Sequence, residues 1–453
     1  MKKPLTKTIK YGYGVAEFGY SLANNVEIYF FTFFMTNIAA YSLGMTAFVG
    51  MLSAILNTIM TPFYGAIIAK VKAMRWGRLR SWMILMPPLC ILCYGLEFSR
   101  IGSNELIAAI FVILGTVFFD QFFSLALIAH ASLVNVISNN AEERAMISAR
   151  RGLFMSTASM LNSYLGAPLA ALFALIVGET YGYTLMAVVL AFIMTLTFWF
   201  EVRITRGYEP TGDEDVSKVI ASELEQKISV RELFIAAVKS KHVLALIISD
   251  SLRYTGNMIL ASSVAYYFSY IAENSSIMAY YLFFGGAMQV LGSFISEKIG
   301  KKFSTRSTAI FAMLAVGSLE LLGRFLGFQV GIAFVTLMIY RMFHGFGIAL
   351  YPALIADCAE YEAYKNDTPV SFTVGVIDVA PKIAFFIRAW SIPLILTLVG
   401  FTAEITPAAA TYEFKVGILN MFLLIPGLIT VASGLTLLFF YKITDKELAE
   451  IEQ

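Results

Sequence analysis

Charge is scarce in this chain. Asp, Glu, Lys and Arg together make up 14% of its 453 residues, where soluble domains average about 25%. Hydrophobic types take up the difference at 58%, and mean hydropathy is +0.73. One buried core cannot absorb that excess, so a soluble globular fold is excluded. Cysteine is almost absent. Cys90 and Cys93 form a C-x-x-C inside an apolar run, and Cys358 stands alone. Without the thioredoxin-like context of a redox motif, the pair reads as small packing residues. Histidine is as rare: His130, His242 and His344 are scattered, with no metal-ligand spacing. The chain has no G-x-x-x-x-G-K-S/T loop and no G-x-S-x-G elbow. An ATP-driven pump or a membrane hydrolase therefore has no visible machinery. A net charge of +2 points to no nucleic-acid partner.

What the chain does have is long apolar blocks without the alternation of a barrel strand. They fall at roughly 12–38, 45–71, 82–99, 104–136, 146–178 and 181–202, then at 241–271, 276–296, 305–326, 330–356, 370–400 and 414–441. About 20 apolar residues span a bilayer as a helix, and lipid offers no partner to exposed backbone groups. The pattern is six helices, a polar stretch and six helices. It predicts an all-α integral membrane protein with an N-terminal half over 1–203, a cytoplasmic linker over 204–238 and a C-terminal half over 239–453. The linker, with Asp213-Glu214-Asp215, reads as a tether. The Met-Lys-Lys-Pro start reads as a cytoplasmic tail and not a signal peptide.

Lys and Arg crowd one set of loops: Lys70, Lys72, Arg75, Arg78 and Arg80, then Arg144, Arg150 and Arg151, then Lys298, Lys301, Lys302 and Arg306. The alternate loops are nearly bare. The basic set is expected on the cytoplasmic side of the plasma membrane, with both termini. The turns Arg75-Trp76-Gly77-Arg78 and Lys298-Ile299-Gly300-Lys301 occupy matching places in the two halves. Parallel six-helix repeats of this kind build the major facilitator fold, with substrate bound near the midplane.

Ionisable groups at bilayer depth are expensive and face a cavity or a partner. Glu17, Ser21 and Asn24 share one stripe of the first helix, as a pathway lining or as helix-to-helix hydrogen bonds. Ser53, Asn57 and Thr61 give the second helix a neutral polar face suited to sugar hydroxyls. Asp120 lies within Phe118-Phe119-Asp120-Gln121-Phe122-Phe123, where a carboxylate must be paired, protonated or wet. Arg151 opens the fifth helix and reaches either a cavity or the surface. Asp250 with Arg253, and Asp378 with Lys382, can pair locally. Glu320, Arg324 and Arg341 read as structural.

Several runs resemble one family. Arg75-Trp76-Gly77-Arg78-Leu79-Arg80-Ser81-Trp82 resembles the R-x-G-K/R-x-R/K-P-W turn of the glycoside–pentoside–hexuronide:cation symporters, the melibiose permease-like group of the major facilitator superfamily. Tyr11-Gly12-Tyr13-Gly14 resembles its Y-G-x-G, and Asp120 to Leu125 its D-x-P-F/Y-x-S/A-L run. Glu143-Arg144 with Arg151 resembles its E-R…R spacing. Asp357 to Lys365, which includes Glu360, is similar to its A-D-x-x-D-Y-x-x-x-K loop. The resemblance covers nearly the whole chain. It implies a twelve-helix major facilitator fold, and sugar contacts for Asp120, Arg151 and Lys382. Glu17, Asn24, Asn57 and Thr61 complete the expected substrate set. Arg75, Gly77, Arg78, Arg80, Asp357, Glu360 and Lys365 form the expected gating set.

The chain departs from the family at its cation site. The D-x-x-x-D-P carboxylates are replaced by Asn57-Thr58-Ile59-Met60-Thr61-Pro62, and the proline after Asp120 is missing. Na⁺ coupling is not expected. H⁺ coupling through Glu17 or Asp120, an uncoupled facilitator, or a divergent carrier of another solute remain open. No cofactor or metal is expected, and the partners are lipid and a small polar solute such as a sugar or uronide. A proton-coupled multidrug antiporter and a non-transporting receptor are the alternatives.

Overall fold

The computed structural model describes residues 4–70, 74–138, 141–209, 239–366, 370–444, 447, 448 and 450. Among them every extended element is helical. The chain divides into two compact units, Met1–Lys227 and Ile228–Gln453. Most of the predicted linker, 210–238, lies outside the described residues.

In the first unit a short α1 (Lys7–Gly12) leads into α2 (Val15–Phe33), which runs on as a π-helical turn, Phe34–Ile38. Five pairs of helix faces then dominate the packing of α2 with α3 (Leu43–Lys70), α4 (Arg78–Glu97), α5 (Glu105–Ile137), α6 (Ala141–Val177) and α7 (Glu179–Ile204): α4 on α5, α4 on α7, α2 on α7, α2 on α6 and α6 on α7. Proline inside α4 (Pro87, Pro88) and α6 (Pro168) is tolerated because neighbouring helices re-satisfy the freed backbone.

The second unit repeats the plan with α8 (Lys241–Tyr270), α9 (Ser275–Phe303), α10 (Thr305–Leu326) and α11 (Val330–Asn366). It continues with α12 (Val370–Ile377), α13 (Ala380–Leu398) and α14 (Tyr412–Leu419). A second π-helical turn, Asn420–Leu424, leads into α15 (Ile425–Phe440). Glycine sets the closest approach here. A Cβ on Gly292 would overlap the Met342 carbonyl, and one on Gly345 the Gln289 carbonyl, so α9 and α11 meet backbone to backbone.

The two units share a fastening. Arg80, at the start of α4, donates from Nη2 to the Val202 carbonyl near the end of α7 at 2.7 Å. Arg306, at the start of α10, donates from Nε to the Tyr441 carbonyl just past α15 at 2.6 Å. In each unit a cationic side chain at the entry of the third long helix ties down the exit of the sixth.

Among the described residues, nine helices are long and apolar enough to cross a membrane. In α2, α6 and α8 charged residues interrupt the apolar run, and these are the helices that carry Glu17, Arg151 and the Asp250–Arg253 pair. Three helices clearly outrun their apolar blocks. α6 begins at Ala141 and not near 146, α9 continues to Phe303, beyond 296, and α11 continues to Asn366, beyond 356. Hydropathy marks where lipid ends, and a helix continues past that point while its backbone stays bonded.

Candidate functional site

The first site element is a hydroxyl-and-amide face between α3 and α5. Asp120 is half-buried on α5 and accepts a hydrogen bond from Ser53 Oγ on α3 at 2.8 Å. One residue on, Gln121 Oε1 accepts from the Tyr64 hydroxyl at 2.9 Å, and that hydroxyl lies 3.4 Å from Asn57 Oδ1. Ser53, Asn57 and Tyr64 recur along α3 at steps of four and seven, so they share one helix face. The Phe run around Asp120 packs elsewhere: Phe119 stacks on Tyr94 at 4.4 Å and Phe123 on Tyr20 at 4.3 Å. The side chain of Thr61 lies outside the described residues.

Behind this face lies a chain of charged groups on four helices. Glu17 Oε1 on α2 accepts from Arg151 on α6, through Nη2 and through Nε at 3.0 Å. The same oxygen stands 3.6 Å from Nδ1 of His130 on α5. The other ring nitrogen, Nε2, stands 2.7 Å from Glu201 Oε2 on α7. Glu201 Oε1 accepts from the backbone N–H of Gly14 at 2.6 Å and of Ala16 at 2.9 Å. Gly14 has φ of +122° at the break between α1 and α2, and a Cβ there would press on the Arg151 backbone. Glycine at this break lets α6 close on the start of α2.

Arg151 and Glu17, both expected to meet solute, are therefore brought together as an ion pair. Asn24 is half-buried on the same helix, and its neighbour Asn25 bonds Ser159 on α6 at 3.0 Å. His130 and Glu201 were missed as members of the group. Each is a lone ionisable residue in an apolar run, a signal the sequence does contain.

The basic turn before α4 closes on an acid of its own unit. Gly77 caps α4 with φ of +106°, and Glu209 takes the N–H of Leu79 at 2.6 Å and of Arg80 at 3.1 Å. Burial raises the Glu209 carboxyl above the ordinary range, while the backbone donors and the Arg80 guanidinium pull it back. Arg75 stacks over Trp76 at 4.1 Å. Arg78 is buried beside Gly77.

In the second unit Asp250 and Arg253 on α8 pair at 2.7 Å, both buried, and the guanidinium stacks on Tyr254 at 4.1 Å and Tyr351 at 4.5 Å. Local pairing thus satisfies this charge. The eleventh block is broken at Asp378-Val379, between α12 and α13. Lys382 sits half-buried in the first turn beyond the break, and among the described residues no ion pair joins it to Asp378. Asp357, Glu360 and Lys365 ride on the long C-terminal extension of α11, Glu360 and Lys365 exposed. The anchoring acid there is Glu362, which accepts from Ser240 Oγ and from Asn366 Nδ2.

Two helical units of this kind, each with acids and amides held within apolar helices, have the build of a membrane solute carrier. The chain belongs to the MFS/sugar transport protein family, whose model matches residues 12–445. At full length it is 22% identical to an uncharacterized symporter, YjmB, of Bacillus subtilis (strain 168), covering 100% of this chain and 96% of that one. It is 23% identical to the isoprimeverose transporter of Lactiplantibacillus pentosus, over 98% of this chain and 91% of the relative. The solved D-xylose-proton symporter shares the fold with a TM-score of 0.64 at 13% identity, covering 96% of this chain and 97% of that one. The chain is a divergent member of the major facilitator superfamily, and its class of work is sugar transport.

Proposed function

We propose that the protein carries a sugar or glycoside across the cytoplasmic membrane by alternating access, with both termini on the cytoplasmic side. The observation that carries this reading is the face built by Ser53, Asn57, Tyr64, Asp120 and Gln121. A carboxylate offers about four acceptor positions, and the amides add donors, which is the chemistry of neighbouring sugar hydroxyls. The name of the isoprimeverose transporter supports the same class. Arg151 is engaged by Glu17, so a uronide carboxylate would have to displace that acid and then tolerate Asp120. This favours an uncharged glycoside over a hexuronide. Lys382, in the second unit, is the residue through which an acidic sugar would regain ground.

Radiolabelled isoprimeverose, D-xylose and methyl glucuronide, offered to proteoliposomes of the full chain, test the reading. Saturable uptake of at least one neutral sugar is expected. Asp120→Asn should weaken it by one to two orders of magnitude, since hydrogen bonds to a charged group contribute about 1.5–3 kcal/mol. Saturable uptake of none, or full uptake by Asp120→Asn, overturns it. Na⁺ should not stimulate uptake, because the two second-helix positions are Asn57 and Thr61. A Na⁺ dependence abolished by Asn57→Ala would contradict that.

A further inference from the structure

His130 is completely buried, yet it stands between two carboxylates, and neither ring nitrogen meets hydrogen-bond geometry among the described residues. Tyr13 stacks flat on the ring at 4.9 Å, and Phe198 closes its edge at 6.0 Å. The charged and titratable groups facing the imidazole are Tyr13, Glu17 from α2, Arg151 from α6 through Glu17, and Glu201 from α7. On the remaining neighbours, Arg80 of α4 is committed to the carbonyls of Trp76 and Val202, and Asp120 of α5 is bonded to Ser53 of α3. Glu17 meets the Arg151 guanidinium, whereas Glu201 accepts from the backbone N–H groups of Gly14 and Ala16, and one proton on the ring would place a positive charge between the two acids.

We propose that His130 is the coupling-proton site of this transporter, with Glu17 exchanging between Arg151 and the protonated ring. In the neutral state the ring carries its one hydrogen on Nε2, toward Glu201. The entering proton takes the lone pair of Nδ1, 3.6 Å from Glu17 Oε1. The imidazolium then donates to both acids. Glu17 turns to Nδ1–H, and its ion pair with Arg151 opens. Arg151, the most exposed member of the group, is released toward the solute. Loss of the proton from Nδ1 to water restores the Glu17–Arg151 pair. No bond other than N–H is made or broken. The idea rests on the transport reading for its purpose, but the proton site itself can be observed without any sugar.

Two measurements test it. The full chain, labelled with ¹⁵N-histidine and held in nanodiscs, has three imidazoles to resolve. His242→Asn and His344→Asn assign His130 by elimination and leave its surroundings intact. The His130 nitrogens should pass from a neutral to an imidazolium pattern as the pH is lowered. Glu201→Gln should weaken that proton binding about tenfold or more, by removing a negative neighbour. A His130 ring that stays neutral throughout, or titrates identically in Glu201→Gln, overturns the proposal. In proteoliposomes, an inward proton gradient should raise isoprimeverose or D-xylose accumulation about tenfold or more in the parent chain, and His130→Gln should lose that stimulation. Equal stimulation in both overturns the proposal. Should the parent chain move no sugar, the transport reading fails, and the imidazole titration alone decides the proton site.

Discussion

Gly77 shows how one residue type holds a turn in place. Its φ of +106° lies where side chains are strained, and a Cβ there would overlap the Glu209 carboxylate that caps α4. Gly77→Ala should therefore lower stability twice over, through backbone strain and through displacement of Glu209. Glu209→Ala removes only the second term. It leaves the N–H groups of Leu79 and Arg80 without their acceptor, at a cost of about 1–3 kcal/mol. Thermal unfolding of the purified protein, followed by tryptophan fluorescence, should place Gly77→Ala below Glu209→Ala and both below the parent. A Gly77→Ala protein as stable as the parent would remove this turn from the list of constraints.

Residue by residue, the sequence announced acids, amides and bases at depth, but not their partners. Helical spacing tells which side chains share a face. It does not tell which faces meet. Asp120 could be marked because four phenylalanines surround it, whereas the bond from Ser53 needed α3 to lie on α5. Glu17 stands out by its stripe with Ser21 and Asn24, but not as the acid that holds Arg151. His130 reads only as a scattered histidine and Glu201 lies at the end of its apolar block, so nothing in the spacing of either helix names a partner. Each is explained by the other, across 71 residues of chain that no spacing rule connects.

At the scale of elements, each of the twelve apolar blocks is helical, most as one long helix and the eleventh and twelfth in pieces, because a bilayer ties block length to helical length. Where the reading and the structure differ, the cause is local. Residues 357–365 resemble a loop of the family, but they continue α11 as helix, with Glu362 fastened to the N-cap of α8. The break at Asp378-Val379 falls inside a block that reads as one helix by its length and hydropathy. The approach of α9 to α11 yields a further expectation. Replacing Gly292 or Gly345 by Val forces the helices apart and should cost about 1–3 kcal/mol or more, as overpacking does. Val at Gly331, where a Cβ would meet nothing within 4 Å, should be nearly neutral. Comparable expression and melting of all three variants would argue that α9 and α11 do not meet as described.

For the whole molecule, the distribution of Lys and Arg supports the proposed orientation, with the basic turns before α4 and α10 and both termini cytoplasmic. A fluorescent protein fused after Gln453 should mature and fluoresce, and alkaline phosphatase fused at the same place should stay inactive. The opposite pair of results would invert the topology and with it the cytoplasmic assignment of Arg75, Gly77, Arg78 and Arg80.

The matching arginine ties also bear on how such a chain is made. Arg80 finds Val202 and Glu209 within the first 209 residues, and Arg306 finds Tyr441 within the last third. Each half can be latched by its own final helix as that helix enters the bilayer, the first while the second is still being translated. Order of synthesis and order of assembly then coincide, and the stretch joining the halves is left to vary in length without loosening either latch.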